Sequence, residues 1–119
     1  LYPGTGAASE TGIGNIFNRP ILGGTAPETF RSTWSKELLP AIDAFRPQLL
    51  LISAGFDAHR ADPLASLNLD ATDYTWITGE LRGIADRHAD GRVVSMLEGG
   101  YDLDALAESV VAHVRALDA

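Results

Sequence analysis

Cysteine is absent from this sequence of 119 residues, which excludes a disulfide framework and any thiolate metal site. Histidine, aspartate and glutamate are then the side chains left to hold a metal. The absence suits a reducing compartment, so a cytoplasmic protein is expected, with a nuclear location open if the source is eukaryotic. Basic residues are scarce: nine Lys and Arg are scattered along the chain against sixteen Asp and Glu, for a net charge of −7. That balance argues against an electrostatic grip on nucleic acid by this segment, while leaving a protein substrate open. No apolar run approaches the roughly 18 residues that span a bilayer, and no charged start leads into an apolar signal segment, so no membrane partner is expected. Repeats, low-complexity tracts and linkers are missing too. The first residue is Leu1 rather than methionine, which fits a processed or truncated piece.

What is present is enough for a core, at 45% apolar residues. The first 26 residues are rich in turn formers, from Tyr2-Pro3-Gly4-Thr5-Gly6 through Gly12, Gly14, Asn15 and Asn18 to Pro20, and read as irregular. A short strand fits residues 16 to 22. A surface connection and a ligand-lining loop are both open for this segment; a phosphate loop is not, because the lysine and the preceding strand are missing.

From Pro27 to Phe45, Phe30, Trp34, Leu38, Ile42 and Phe45 recur every three or four positions, the pattern of an amphipathic helix that Pro40 should kink or divide. Leu49 to Ile52 reads as a strand buried on both faces. It empties into Ser53-Ala54-Gly55-Phe56-Asp57-Ala58-His59-Arg60-Ala61-Asp62-Pro63-Leu64. A helix comes next over about 73 to 88, with Tyr74, Ile77, Leu81 and Ile84 inward and Thr72 as its cap. Gly79 and Gly83 each weaken it by about 1 kcal/mol relative to alanine, so close contacts are expected there. Val93 to Leu97 is a second strand, succeeded by Glu98-Gly99-Gly100-Tyr101-Asp102. Asp102 should cap a last helix, whose inward face holds Leu103, Leu106, Val110, Val114 and Leu117.

Helices alternating with apolar strands predict an α/β fold with a parallel sheet covered by helices on both sides. Two strands do not make such a sheet, so further strands from the same domain are expected to flank them. Parallel strands also put the loops after Ser53 and Leu97 at one edge, where open α/β sheets bind ligands. Asp57 and Tyr101 can then face one pocket. A carboxylate ligand beside a phenol donor suits a hydrolase in which a metal polarises a carbonyl and a hydroxyl steadies the oxyanion.

Plainer roles compete with each of these. Asp57 can serve a turn or cap, Asp62-Pro63 opens turns, and Tyr101 can pack over the sheet edge. His59 reads as hydrogen-bonded or exposed rather than as a ligand. His88 and His113, near helix C-termini, read as structural.

Taken together, Tyr2-Pro3-Gly4-Thr5-Gly6, Gly12-Ile13-Gly14-Asn15, the stretch from Ser53 to His59 with Asp62-Pro63-Leu64, and Leu97 to Leu103 resemble the zinc-dependent histone deacetylase family. The nearest flavour is the class II and bacterial acetylpolyamine amidohydrolase branch. The resemblance covers essentially the whole chain. It implies an arginase/deacetylase-like three-layer α/β fold with a central parallel sheet, of which residues 1–119 would be the C-terminal portion. It also implies hydrolysis of an acetylated lysine or polyamine with release of acetate. Asp57 matches a zinc-binding aspartate, and Tyr101 the tyrosine that hydrogen-bonds the scissile carbonyl and its oxyanion. Tyr2 matches an aromatic wall of the acyl-lysine tunnel, Leu64 an apolar residue at the pocket mouth, and Gly99 and Gly100 the glycines beside the substrate channel. Asp62 and His59 belong to the motif without a catalytic role carried over.

The family's other zinc ligands, an Asp-x-His segment, and its tandem histidines lie upstream and are not in this sequence. One carboxylate cannot hold a catalytic zinc, which takes about three protein ligands and a water. The chain alone is therefore expected neither to bind zinc tightly nor to deacetylate. Its expected partners are the acetylated substrate and the rest of the domain, and a homo-oligomer is open. Two other readings stand beside this one: a non-catalytic interaction fragment pairing through a sheet edge, and an unrelated α/β domain holding an anion at Gly99-Gly100.

Overall fold

The computed structural model describes residues 3–119; Tyr2, expected to wall a substrate tunnel, lies outside them. The elements run α1 (Pro27–Thr33), a π-helical segment (Trp34–Leu38), α2 (Leu39–Phe45), β1 (Leu50–Ala54), α3 (Ala71–His88), β2 (Val93–Leu97) and α4 (Leu103–Asp118). No strand forms over residues 16 to 22. A strand needs a neighbour to satisfy its backbone, and the apolar side chains Phe17 and Leu22 of this stretch stay exposed.

Pro40 divides the first helix in a particular way. Proline has no N–H to give and crowds the preceding turn. The chain accommodates it by widening just before it: the Leu39 N–H reaches Trp34 O, five residues back, instead of four. Such a π segment adds one residue to the turn and rotates the helix beyond it. Leu39 therefore takes the buried position expected of Leu38, and Phe45 turns out to solvent. Arg46, in the left-handed region at φ 55°, ends α2 ahead of Pro47.

β1 and β2 are direct neighbours in a parallel pair, registered from Leu50 opposite Val93 to Ala54 opposite Leu97, with α3 as the crossover between them. Successive strand side chains alternate in direction, and burial agrees: Leu50, Ile52 and Ala54 turn toward the helices while Leu51 and Ser53 turn away. Among the described residues, helices cover this one face of the pair. The other, carrying Leu51, Val94 and Met96 at 63%, 47% and 53% exposure, is bare and apolar.

Two clusters fill the covered side. Leu39, Leu50, Leu81 and Ile84 form one, joined by Trp34, Ile42 and Val93. Ala54, Phe56, Leu69 and Tyr74 form the other, with Leu106 and Val110 of α4 against it. The expected inward face of α4 therefore holds at Leu106 and Val110 and fails at Leu103 and Val114, which are exposed; the buried positions are Ala105, Ser109 and His113. The α3–α4 contact includes the hydrogen bond between Thr78 and His113.

The start of α3 also differs from expectation. Asp70, not Thr72, is the cap: its carboxylate accepts the Thr72 N–H at 2.8 Å, while Asp73 accepts the Asp70 N–H at 3.0 Å. This reciprocal arrangement is a capping box. Gly79 has nothing near it and Gly83 only the end of Arg87, so neither glycine marks the close contact expected of it. Among the described residues, no helix is long and apolar enough to cross a membrane.

Candidate active site

The loops after β1 and β2 leave the same edge of the sheet and are stitched together at once. The Glu98 N–H donates to Ala54 O at 3.0 Å and the Phe56 N–H donates to Gly99 O at 2.7 Å, which carries the parallel ladder past both strand ends. Phe56 is buried, its ring 5.0 Å from that of Tyr74 and 5.6 Å from that of His113. The residue after it, Asp57, is thereby anchored from below and brought against the second loop.

The carboxylate of Asp57 lies in a cradle made of missing side chains. A Cβ on Gly99 would stand 2.9 Å from Asp57 Cγ and 3.0 and 3.1 Å from its two oxygens; a Cβ on Gly55 would stand 2.9 Å from Oδ1. Real Cβ atoms do not come so near, so both positions must be glycine for Asp57 to sit as it does. Gly55 has no place in the sequence-derived site, though its neighbours in the motif pointed to this loop. Gly99 and Gly100, expected beside a substrate channel, face inward: Gly99 toward Asp57, and Gly100, at φ 138°, toward Leu106 and Phe56.

Asp57 and Asp62 differ sharply. The half-buried Asp57 carboxylate takes part in no hydrogen bond among the described residues, whereas Asp62 is buried and accepts three, from the N–H groups of Leu64, Ala65 and Tyr101. Burial pushes the Asp62 carboxyl up, but the N–H groups of Tyr101, Leu64, Ala65 and Asp102 outweigh it and hold the group below the usual carboxylate range. Asp62 does open a turn, as its Asp-Pro sequence suggests. Its reach to Tyr101 has no signal in the local sequence.

Tyr101 stands two residues after Gly99, so its loop is the one that touches Asp57. Its side chain is 53% exposed. Asp102 caps α4 directly after it, accepting the Ala105 N–H at 2.8 Å. Leu64, expected at a pocket mouth, is exposed on the Asp62 turn. Below the Asp57 loop lies a cavity of about 210 Å³, lined chiefly by apolar residues of β1, α1 and α3. The buried Tyr74 hydroxyl has no hydrogen-bond partner among the described residues. Burial, and after it the fields of Asp57, Asp62 and Asp73, pushes its ionisation well upward, so it stays a neutral phenol.

The histidines are structural. His59 is buried and its Nδ1 accepts the Ala61 N–H at 3.1 Å. His88 meets Asp43. His113 joins three elements, with Nδ1 2.7 Å from Thr78 Oγ1 and Nε2 2.9 Å from Ser95 Oγ. Thr78 already gives its hydroxyl proton to Tyr74 O, which assigns the imidazole proton to Nδ1 and leaves Nε2 to accept from Ser95.

As a metal site, the donor set is one carboxylate with room around it. Asp57 fits as a single ligand; among the described residues no three His, Asp or Glu side chains gather to hold an ion.

Comparison with known proteins gives this geometry its context. The histone deacetylase domain profile matches residues 1–117. Histone deacetylase 14, chloroplastic, of Arabidopsis thaliana is 38% identical over 120 residues, covering 98% of this chain and 28% of that protein. A histone deacetylase-like amidohydrolase of Pseudomonas aeruginosa is 39% identical over 92 residues, covering 77% of this chain and 24% of that one. The crystal structure of the HDA15 HD domain superimposes with a TM-score of 0.88 at 36% identity, over 98% of this chain and 33% of its own. The chain thus spans about a quarter to a third of each. An unrelated anion-binding domain is set aside by this match. The profile runs through both stitched loops, the Asp57 cradle and the Tyr101 tether, and the chain belongs to the histone deacetylase family.

Proposed function

We propose that this chain is the C-terminal portion of the catalytic domain of a zinc-dependent deacetylase, which hydrolyses the amide of an N-acetylated lysine or polyamine and releases acetate. The observation that carries this reading is the cradle at Asp57: two glycines keep clear a carboxylate that no group of the described chain engages, at the sheet edge where α/β enzymes bind ligands. Asp57 supplies one zinc ligand. A zinc ion held in part by Asp57 would supply Lewis-acid polarisation of the amide carbonyl and activation of water. Tyr101 hydrogen-bonds the carbonyl oxygen and the oxyanion that develops on it, and Leu64 lies at the pocket mouth. The remaining ligands and the general base come from the rest of the domain, so the chain alone is inactive. The reading puts the enzyme in the cytoplasm, or the nucleus in a eukaryote, acting on neither nucleic acid nor membrane.

Two measurements test it. Zinc titration by calorimetry should show no tight site on residues 1–119, and an assay on an acetyl-lysine peptide or acetylpolyamine should show activity only from the natural full-length polypeptide. Robust turnover by the isolated chain overturns the reading. The second reading, a non-catalytic interaction fragment, draws on the bare apolar face of Leu51, Val94 and Met96. An inactive full-length polypeptide would favour it.

A further inference from the structure

The two oxygens of the buried Asp62 carboxylate serve two different loops. Oδ1 accepts the N–H groups of Leu64 at 2.9 Å and Ala65 at 3.1 Å, closing a turn within its own loop. Oδ2 accepts the Tyr101 N–H at 2.8 Å, across 39 residues of sequence. We propose that Asp62 is the positioning residue for Tyr101: it ties the backbone from which the phenol projects to the loop that carries Asp57. This inference rests on the reading of Tyr101 as the oxyanion donor.

The backbone bonds of the two loops stop at Gly99, and this bond carries the connection on to Tyr101. Tyr101 is 53% exposed, so packing does not enclose it. The two residues before it are glycines, the backbone type with the widest freedom, and Gly100 is at φ 138°. On the far side Asp102 begins α4 by capping it. Past the Phe56–Gly99 bond, the Tyr101 N–H is the last point before the helix start where this segment is fastened to the loop that carries Asp57. A charge-assisted bond to a buried carboxylate is a strong fastening, and a misplacement of about 1 Å at a reacting centre can lower a rate about 100-fold.

Asp62→Asn separates this tie from the turn. The amide oxygen can keep the bonds to Leu64 and Ala65, but the amide nitrogen then presents a donor to the Tyr101 N–H. Flipping the amide would sacrifice two bonds to restore one. In the natural full-length polypeptide carrying this sequence, assayed with zinc on an acetyl-lysine peptide, D62N should lower kcat about 10- to 100-fold with KM within about twofold. In a Tyr101→Phe background, which removes the hydroxyl being positioned, D62N should change kcat by less than about twofold. If D62N fails to fold by circular dichroism, Asp62→Ser, whose hydroxyl can serve the turn but not reach Tyr101, takes its place in the same cycle. Equal fractional losses in both backgrounds, or retention of more than half of kcat by D62N, overturn the proposal. If Y101F itself keeps wild-type kcat, the role assigned to Tyr101 fails, and the proposal with it.

Discussion

The carboxylate of Asp57 occupies the volume that any side chain at Gly99 would need, with Cγ 2.9 Å from where a Cβ would stand. Gly99→Ala should therefore displace Asp57 while leaving the fold intact. In the full-length polypeptide, zinc affinity or deacetylase activity should fall about 10- to 100-fold, the scale of losing a residue that orients a metal ligand. Metal content and kcat/KM at fixed zinc check this. Gly55→Ala should act in the same direction through Oδ1, and unchanged activity in both variants would disprove the cradle.

His113 gives stability a pH dependence of definite sign. Burial depresses its pKa below the ordinary value, so the unfolded chain binds the proton more readily than the folded one. The contribution of this residue is fully present above the unfolded pKa of roughly 6.5 and is lost as pH falls below it toward the folded value. Melting temperature should drop between pH 7.5 and 5.5, and the drop should shrink in His113→Gln, which retains a donor and an acceptor. The carboxylates held below their usual range, Asp62 and Asp70 among them, titrate in a more acidic window.

The start of α3 should be sensitive to two aspartates in unequal measure. Asp70→Ala removes the cap and should lower stability by about 1 kcal/mol. Asp73 is almost fully buried, accepting both the Asp70 N–H and Arg31 Nε, the latter at 2.7 Å. Asp73→Ala should lower stability by about 2 to 4 kcal/mol, since a charged hydrogen bond and half of the capping box go together. Urea titration of both variants tests the order; equal effects would refute it.

The bare sheet face makes its own prediction. Contiguous exposed apolar surface is uncommon on monomers, so residues 1–119 expressed alone should bind a hydrophobic dye and self-associate. Leu51→Lys with Met96→Glu should reduce both, with the far-ultraviolet circular dichroism preserved. Light scattering that does not change on this double substitution would place the sticky surface elsewhere.

Much of this architecture could be read from the residues. Both strands announce themselves as apolar runs, and β2 forms over the span the run marks; Asp102 caps α4 as its position suggests. Expectation and structure part where one element answers to another. A π segment ahead of Pro40 exchanged Leu38 for Leu39, an adjustment that periodicity alone does not register. On α4 the buried positions are Ala105, Ser109 and His113, with Leu106 and Val110 packed beside them and Leu103 and Val114 exposed. Thr72 yielded to Asp70 once Asp73 was available to complete the box. At the site, Asp57 and Tyr101 were visible as motif residues, but the cradle of Gly55 and Gly99 and the bridge from Asp62 exist only after two distant loops meet.

That last dependence bears on the order of folding. The Asp62–Tyr101 hydrogen bond closes a loop of 39 residues, and the Phe56–Gly99 bond beside it waits on the same event, the alignment of β1 with β2 across α3. Closing a long loop demands chain entropy before any contact returns it. Helix α3, whose cap and turns are local, can assemble early; the pairing of the Asp57 and Tyr101 loops cannot. A chain caught before strand alignment would hold Asp57 and Tyr101 with no fixed relation between them, so the geometry of the site is a late reporter of correct folding.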